Sequence, residues 1–271
     1  AVNAGFFLSS EHLQYGNVTP DMKTAIDTLL QRRSIRRYER QPVTDEQTQL
    51  IYEAIRNTPT SYNGQQFSVI DITDQELKER LYSLTGQKQI KTCSHFMAFC
   101  ADFNKILLGA RAKGVEMPPF YNTADGLIVG TVDAALAMMS ALTAAESLGL
   151  GTCCIGYART ANPEEISREL GLPQQVYLVC GLAIGVPREL PDMKPKQPAG
   201  LVIHSNRYNP DAEKMTESIL NYDAEITRYN TTRSGTTSTN DWVAHIVSYY
   251  VEAMNYHMLQ SLREQGFDPR K

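Results

Sequence analysis

The chain reads as a single α+β domain, and three observations predict it. Strand-like and helix-like stretches interleave along the sequence, with no internal repeat and no linker to divide it. Residues 96–101 are short and apolar throughout, as a strand buried on both faces is. Residues 125–148 are alanine-rich and apolar on most sides, which marks a central packing helix and a candidate subunit interface. At 271 residues and 42% hydrophobic, the chain is long enough to bury a sizeable core.

The elements follow in order. The first 20 residues, with Phe6, Phe7, Leu8, Gly16 and Pro20, have no clear period and read as an arm. Over 21–32, Met22, Ile26, Leu29 and Leu30 recur at helical spacing and predict an amphipathic helix. That helix delivers Arg32-Arg33-Ser34-Ile35-Arg36-Arg37-Tyr38 at its end. Pro42 breaks the chain, and Thr44 with Gln47 forms a capping box for a helix running through Ile55. Residues 58–66 are small, polar and uncharged, with proline and glycine, and so form a loop. Residues 67–72 alternate as a strand does, and Thr73 with Glu76 predicts a second capping box for a helix ending near Leu84.

Beyond the apolar strand, 104–123 reads as an irregular excursion marked by Pro118-Pro119. Gly149 stops the long helix and 151–157 is strand-like. Asn162-Pro163-Glu164-Glu165 places a cap, an N1 proline and first-turn acids before a helix that Gly171 ends. A strand covers 176–186, and Pro187, Pro191, Pro195 and Pro198 then keep the chain extended. The tail carries helices over about 211–229 and 240–265, joined by a mobile polar loop at 231–239.

Composition excludes several functions. With 26 basic and 30 acidic residues the chain has no broad basic face, so no nucleic-acid partner is expected. No membrane partner is expected either, because Asp133 and Glu146 leave only 12 uncharged residues between them in the most apolar run. Five cysteines without a CxxC, and an N-terminus without a basic region, point to reduced thiols in a cytoplasmic protein. GxSxG and HExxH are absent, and the histidines are scattered without metal-ligand spacing. Residues 149–156 look like a dinucleotide fingerprint, but they lead out of a helix and their third glycine falls late.

What stands out is four arginines and a serine in seven residues of a chain with net charge −4. Two readings compete. One is a solvated helix end; the other is an anion site, since guanidinium forks match phosphate oxygens. The 58–66 loop offers hydroxyls and amides to a flat heterocycle, and Lys194 and Lys196 add positive charge.

Seven motifs, in one order, resemble the nitroreductase family of FMN-dependent oxidoreductases, and closely its NADPH-preferring nitroreductase/flavin reductase subgroup. They are Arg33-Ser34-Ile35-Arg36, Thr60-Ser61-Tyr62-Asn63-Gly64-Gln65, Leu84-Thr85-Gly86-Gln87-Lys88, Cys100-Ala101-Asp102-Phe103-Asn104, residues 144–151, Ile155-Gly156, and residues 191–196. The resemblance implies an α+β sandwich of a mixed, mainly antiparallel sheet with packed helices. It also implies an intertwined homodimer with two interfacial FMN sites, in which the 187–271 region wraps the partner subunit.

Carried over by residue, Arg32, Arg33, Ser34 and Arg36 would hold the FMN phosphate and ribityl chain, with Lys194 and Lys196 closing on that end. Thr60, Ser61, Tyr62, Asn63 and Gln65 would lie along the isoalloxazine, partly from the other subunit, and Gln87 would contact the flavin. Cys154, Ile155, Gly156 and Tyr157 match the backbone segment near N5. Arg233 matches a position that contacts the 2′-phosphate of NADPH, although Thr237, Ser238, Thr239 and Asn240 stand where further basic residues are common.

The implied activity is ping-pong transfer of electrons from NADPH to small-molecule acceptors, namely nitroaromatics, quinones, azo dyes or free flavin. The cofactor carries the chemistry and no catalytic side chain is assigned. Two alternatives are a flavin-binding redox sensor using the Cys153-Cys154 pair, and a specialised reductive activity on the same fold.

Overall fold

A computed structural model describes residues 23–235 and 237–269. The expected N-terminal arm lies outside them. The first described helix is α1 (Ala25–Gln31), capped by the Thr24 hydroxyl, which accepts from Asp27 N–H. Next comes α2 (Asp45–Arg56), whose Thr44/Gln47 capping box forms as expected. A sheet strand, β1 (Phe67–Ile72), leads to α3 (Gln75–Thr85) and α4 (Lys88–Thr92). Here the expected Thr73/Glu76 box gives way to Asp74, whose carboxylate accepts from Leu77 N–H.

After β2 (His95–Asp102), the stretch read as an excursion opens with a regular helix, α5 (Asn104–Lys113). None of its residues is fully buried, but Ile106, Leu107 and Ala110 are half-buried along one face. The long helix is α6 (Ala124–Ser147), followed by β3 (Gly151–Ile155), the single turn α7 (Tyr157–Thr160), and α8 (Pro163–Glu169). Asn162 occupies the N-cap position of α8 but does not cap it; its amide donates to the Leu84 carbonyl instead. Then follow β4 (Val176–Gly185), α9 (Ala199–Val202) and α10 (Ala212–Thr232). The final helix of the sequence reading is broken in two, α11 (Trp242–Ala253) and α12 (Met258–Glu264).

The sheet order is β1-β2-β4-β3 with every pair antiparallel, and the parallel element is an isolated Ser34–Thr152 bridge beside β3. Side chains of β2 alternate between two cores: Phe96, Ala98 and Cys100 on one face, Met97, Phe99 and Ala101 on the other. A register shift opposite Phe99/Cys100 flips the parity of β4, so Leu178 serves the first core while Val179, Leu182 and Ile184 serve the second. The long helix α6 lies over the second core with Ala134, Ala137, Ala141 and Ala145, small residues that let it approach the sheet closely. By length and composition α6 could also cross a membrane; here its alanine face is buried in the protein. Its other face leaves Ile128, Val132, Leu136 and Met139 exposed.

Candidate functional site

The arginine stretch is anchored by its two apolar members. Ile35 and Tyr38 are buried, Ile35 N–H donates to the Thr152 carbonyl at 2.8 Å, and the Tyr38 hydroxyl donates to the Ile35 carbonyl at 2.7 Å. Gly151 is required opposite Ile35, since a Cβ there would stand 2.8 Å from its side chain. With 35 and 38 turned inward, Arg32, Arg33, Ser34, Arg36 and Arg37 are left to line a cleft of about 600 Å³, a size suited to a small molecule. Glu146, at the end of α6, braces the stretch from behind. Its carboxylate accepts from the Thr152 hydroxyl at 2.5 Å. Burial pushes this carboxyl above the ordinary range, against the pull of the Thr152 bond and of Arg32 and Lys23.

The facing wall is the proline-stiffened segment. An Arg33 guanidinium nitrogen donates to the Pro191 carbonyl at 3.0 Å, and Glu189 accepts from Arg36 N–H at 2.9 Å. The end of α10 closes the cleft with Tyr229, Arg233, Ser234 and Gly235. Asp192 ties that end down by accepting from Ser234 N–H at 2.6 Å, and Ser234 holds its carboxyl below the usual range. Lys194 is pulled below the ordinary lysine range, first by burial and then by Arg233, Lys196 and Arg36. The cleft therefore concentrates positive charge. Within it the Nε–H groups of Arg32 and Arg33 are buried without a hydrogen-bond partner among the described residues.

The structure thus brings Arg32, Arg33, Ser34, Arg36, Lys194, Lys196 and Arg233 together. Arg37, to which the family resemblance gave no role, lines the same cleft and pairs with Glu189 at 3.7 Å. The remaining expected residues stand elsewhere. Thr60, Ser61, Tyr62, Asn63 and Gln65 precede β1, the sheet edge opposite β3, with β2 and β4 between. Gln87 lies between α3 and α4, its side-chain oxygen accepting from Gln89 at 2.9 Å. Cys154 and Ile155 end β3, and Gly156 and Tyr157 turn into α7. The Tyr157 hydroxyl donates to Glu252 of α11 at 2.6 Å. Cys154 is exposed, yet desolvation pushes its thiol up to about 11. Sequence reasoning missed Glu146, Glu189 and Asp192, because single acids carry no local pattern that marks them as braces.

An antiparallel α+β sandwich bearing a cationic, proline-walled cleft defines the class. The Nitroreductase family profile matches residues 29–186, and the profile of the Nitroreductase family, C-terminal domain, matches residues 194–270. The chain belongs to the nitroreductase family. It is 37% identical to the FMN reductase [NAD(P)H] of Bacillus subtilis, over 92% of this chain and 100% of the relative. It is 39% identical to the oxygen-insensitive NADPH nitroreductase of Salmonella typhimurium, over 92% of this chain and 100% of the relative. A solved structure, the hypothetical oxidoreductase YcnD from Bacillus subtilis, superposes with a TM-score of 0.87 at 37% identity, covering 91% of this chain and 99% of that one.

Proposed function

We propose that this chain is an FMN-dependent oxidoreductase that takes electrons from NADPH and delivers them to nitroaromatic, quinone, azo or free flavin acceptors. Donor and acceptor use one site in turn, so the kinetics are ping-pong. The observation that carries the reading is the convergence of Arg32, Arg33, Ser34, Arg36, Lys194 and Lys196 on a cleft with two buried arginine Nε–H groups that have no partner among the described residues. Buried donors without acceptors are costly, and phosphate oxygens satisfy guanidinium groups in the geometry these side chains offer. The residues present therefore fit FMN, and two relatives are named for FMN or NADPH.

When bound, FMN supplies a two-electron carrier between a nicotinamide and an oxidised acceptor. Arg32, Arg33, Ser34 and Arg36 would hold its phosphate and ribityl chain, and Lys194 and Lys196 would close on the same end. Thr60, Ser61, Tyr62, Asn63, Gln65 and Gln87 would line its ring, and the backbone of 154–157 would offer N–H donors to it. Arg233, at the cleft's rim, would take the 2′-phosphate of NADPH.

The assembly belongs to the same proposal. The arginine cleft and the 60–65 loop flank opposite edges of one sheet, so a complete site draws the loop from a second copy. The exposed apolar faces of α6 (Ile128, Val132, Leu136) and α11 (Val247, Tyr250, Val251) are suited to bury that copy. We treat residues 1–271 as one domain whose 187–271 region reaches the partner through α10 and α11. The end of that region returns to its own core, where Phe267 is fully buried among Phe103, Tyr121 and Tyr177. Five free thiols suit a reducing cytoplasm.

The redox-sensor alternative draws no support from Cys153 and Cys154. Adjacent residues of a strand point to opposite faces, and desolvation raises both thiols, disfavouring the reactive thiolate. The test is an FMN titration of the purified protein, followed by anaerobic reduction with NADPH or NADH in wild type and Arg233→Ala. Saturable FMN uptake, and a selective loss of NADPH reduction in the variant, are expected. Protein that stays colourless with added FMN would sink the proposal; equal reduction by both nucleotides in both proteins would remove Arg233 from it.

A further inference from the structure

The loop before β1 is held in a conformation its own residues disfavour. Tyr62, Asn63 and Gln65 have φ of 56°, 54° and 51°, left-handed values that side chains with a Cβ avoid. The glycine among them, Gly64, has an ordinary φ of −75° and serves another purpose. It makes room for the Gln66 amide, which a Cβ would approach to 2.4 Å. Such a run of unfavourable conformations persists only where the surroundings over-determine it.

The over-determining group is a carboxylate on α6. Asp133 is 0% exposed. Its Oδ1 accepts from Ser61 N–H at 3.1 Å and its Oδ2 from Gln66 N–H at 3.2 Å. Those two amides bracket the left-handed residues. Two turns along the same helix, Ser140 accepts from the Thr58 hydroxyl at 2.9 Å, so the loop's start is fixed to the same element. No Lys, Arg or His pairs with Asp133 among the described residues. A buried carboxylate without a counter-ion is expensive, and an apolar residue would serve helix packing better. The exposed apolar stripe of α6 runs beside Asp133 through Val132 and Leu136. The clamp therefore ties the loop to the helix whose other face is offered to a second copy.

We propose that Asp133 is the positioning residue for this loop. By holding both ends of the left-handed stretch with one carboxylate, it sets the orientation in which Tyr62, Asn63 and Gln65 meet the bound cofactor and the acceptor. Tyr62, 93% exposed in the protomer, is the side chain this clamp presents most openly. The inference rests on the reading that the loop lines FMN.

The experiment compares full-length wild type, Asp133→Asn, Asp133→Ala and Ser140→Ala. Asparagine keeps one acceptor oxygen and turns an NH2 group towards the other amide; alanine removes both bonds. Ser140→Ala disturbs the same helix face while leaving both amide bonds in place. The readouts are FMN affinity by fluorescence titration, the absorption band of the bound flavin, KM and kcat for a quinone, and hydrogen exchange at the Ser61 and Gln66 amides. Expected are at least about tenfold faster exchange at one amide or both, FMN affinity weakened by about tenfold in Asp133→Ala and less in Asp133→Asn, a shifted flavin band, and a raised quinone KM. Ser140→Ala frees the loop's start but keeps both amide bonds, so it should change flavin band and quinone KM less than Asp133→Ala does. FMN uptake by all four proteins with equal affinity, spectrum and KM overturns this inference alone. Failure of the wild type to take up FMN overturns the functional proposal and this inference with it.

Discussion

Glu146 shows how far the cationic cleft depends on a residue that does not face it. Behind the cleft wall its carboxylate satisfies the Thr152 hydroxyl, a side chain with no solvent contact. Removing it in Glu146→Ala leaves that buried hydroxyl without its acceptor, and stability should fall by about 1–3 kcal/mol, measured by urea denaturation. The pH dependence follows from burial, the largest influence on this carboxyl, which raises it above the ordinary range. A carboxyl raised in the fold takes its proton there before it does in the unfolded chain. Its contribution to stability is therefore best at low pH and declines as pH rises from the ordinary carboxylate range through the folded value. Glu146→Gln abolishes that decline, so the variant's stability relative to wild type should improve from acid to neutral pH. No such trend would mean that the carboxyl titrates normally. At this scale the arginines were legible, because a dense positive run contrasts with an acidic chain. Glu146 and Asp133 were legible only as interruptions of an apolar helix, since their partners lie far off in sequence.

Elements were legible where a local rule is strong and blurred where two rules compete. The Thr44/Gln47 box forms because both reciprocal bonds are present. Thr73/Glu76 loses to its neighbour because Asp74 caps as well and lies one residue nearer the helix. Thr44→Ala should cost about 1 kcal/mol, whereas Thr73→Ala should cost little; thermal melts of the two variants distinguish these caps. The central strands show a constraint that pattern alone hides. Gly181 of β4 pairs with Ala98, and a Cβ at 181 would stand 2.4 Å from the Phe96 ring. Phe96 is locked in the core, so Gly181→Ala forces it to shift and should destabilise by about 1–3 kcal/mol in chemical denaturation. An unchanged midpoint would show that the ring moves freely.

At the scale of the whole molecule, one protomer holds the parts of a site without closing it. The cleft lies by β3 and the strained loop by β1, with β4 and β2 between them. A second copy resolves this if it covers the apolar face of α6, which runs beside the loop's clamp. Leu136 is 41% exposed, so a charge there leaves the protomer's core intact. Leu136→Glu should give a folded monomer by light scattering with FMN affinity reduced by an order of magnitude or more, since a missing loop forfeits part of the interface energy. A dimer of unchanged affinity would exclude α6 from the interface.

By itself the sequence determined the α+β class, the order of the main helices and strands, and the cationic stretch with its seven family motifs. These are carried by periodicity, caps and composition, all of which act between near neighbours. Only the tertiary structure decided which charges share a cleft, which edge of the sheet each motif occupies, and which buried acids hold them. Those depend on strand order, on a single bulge in β4 and on hydrogen bonds spanning up to 158 residues. Such contacts leave no local signature, because a carboxylate reads the same in sequence whether it faces water or clamps a loop.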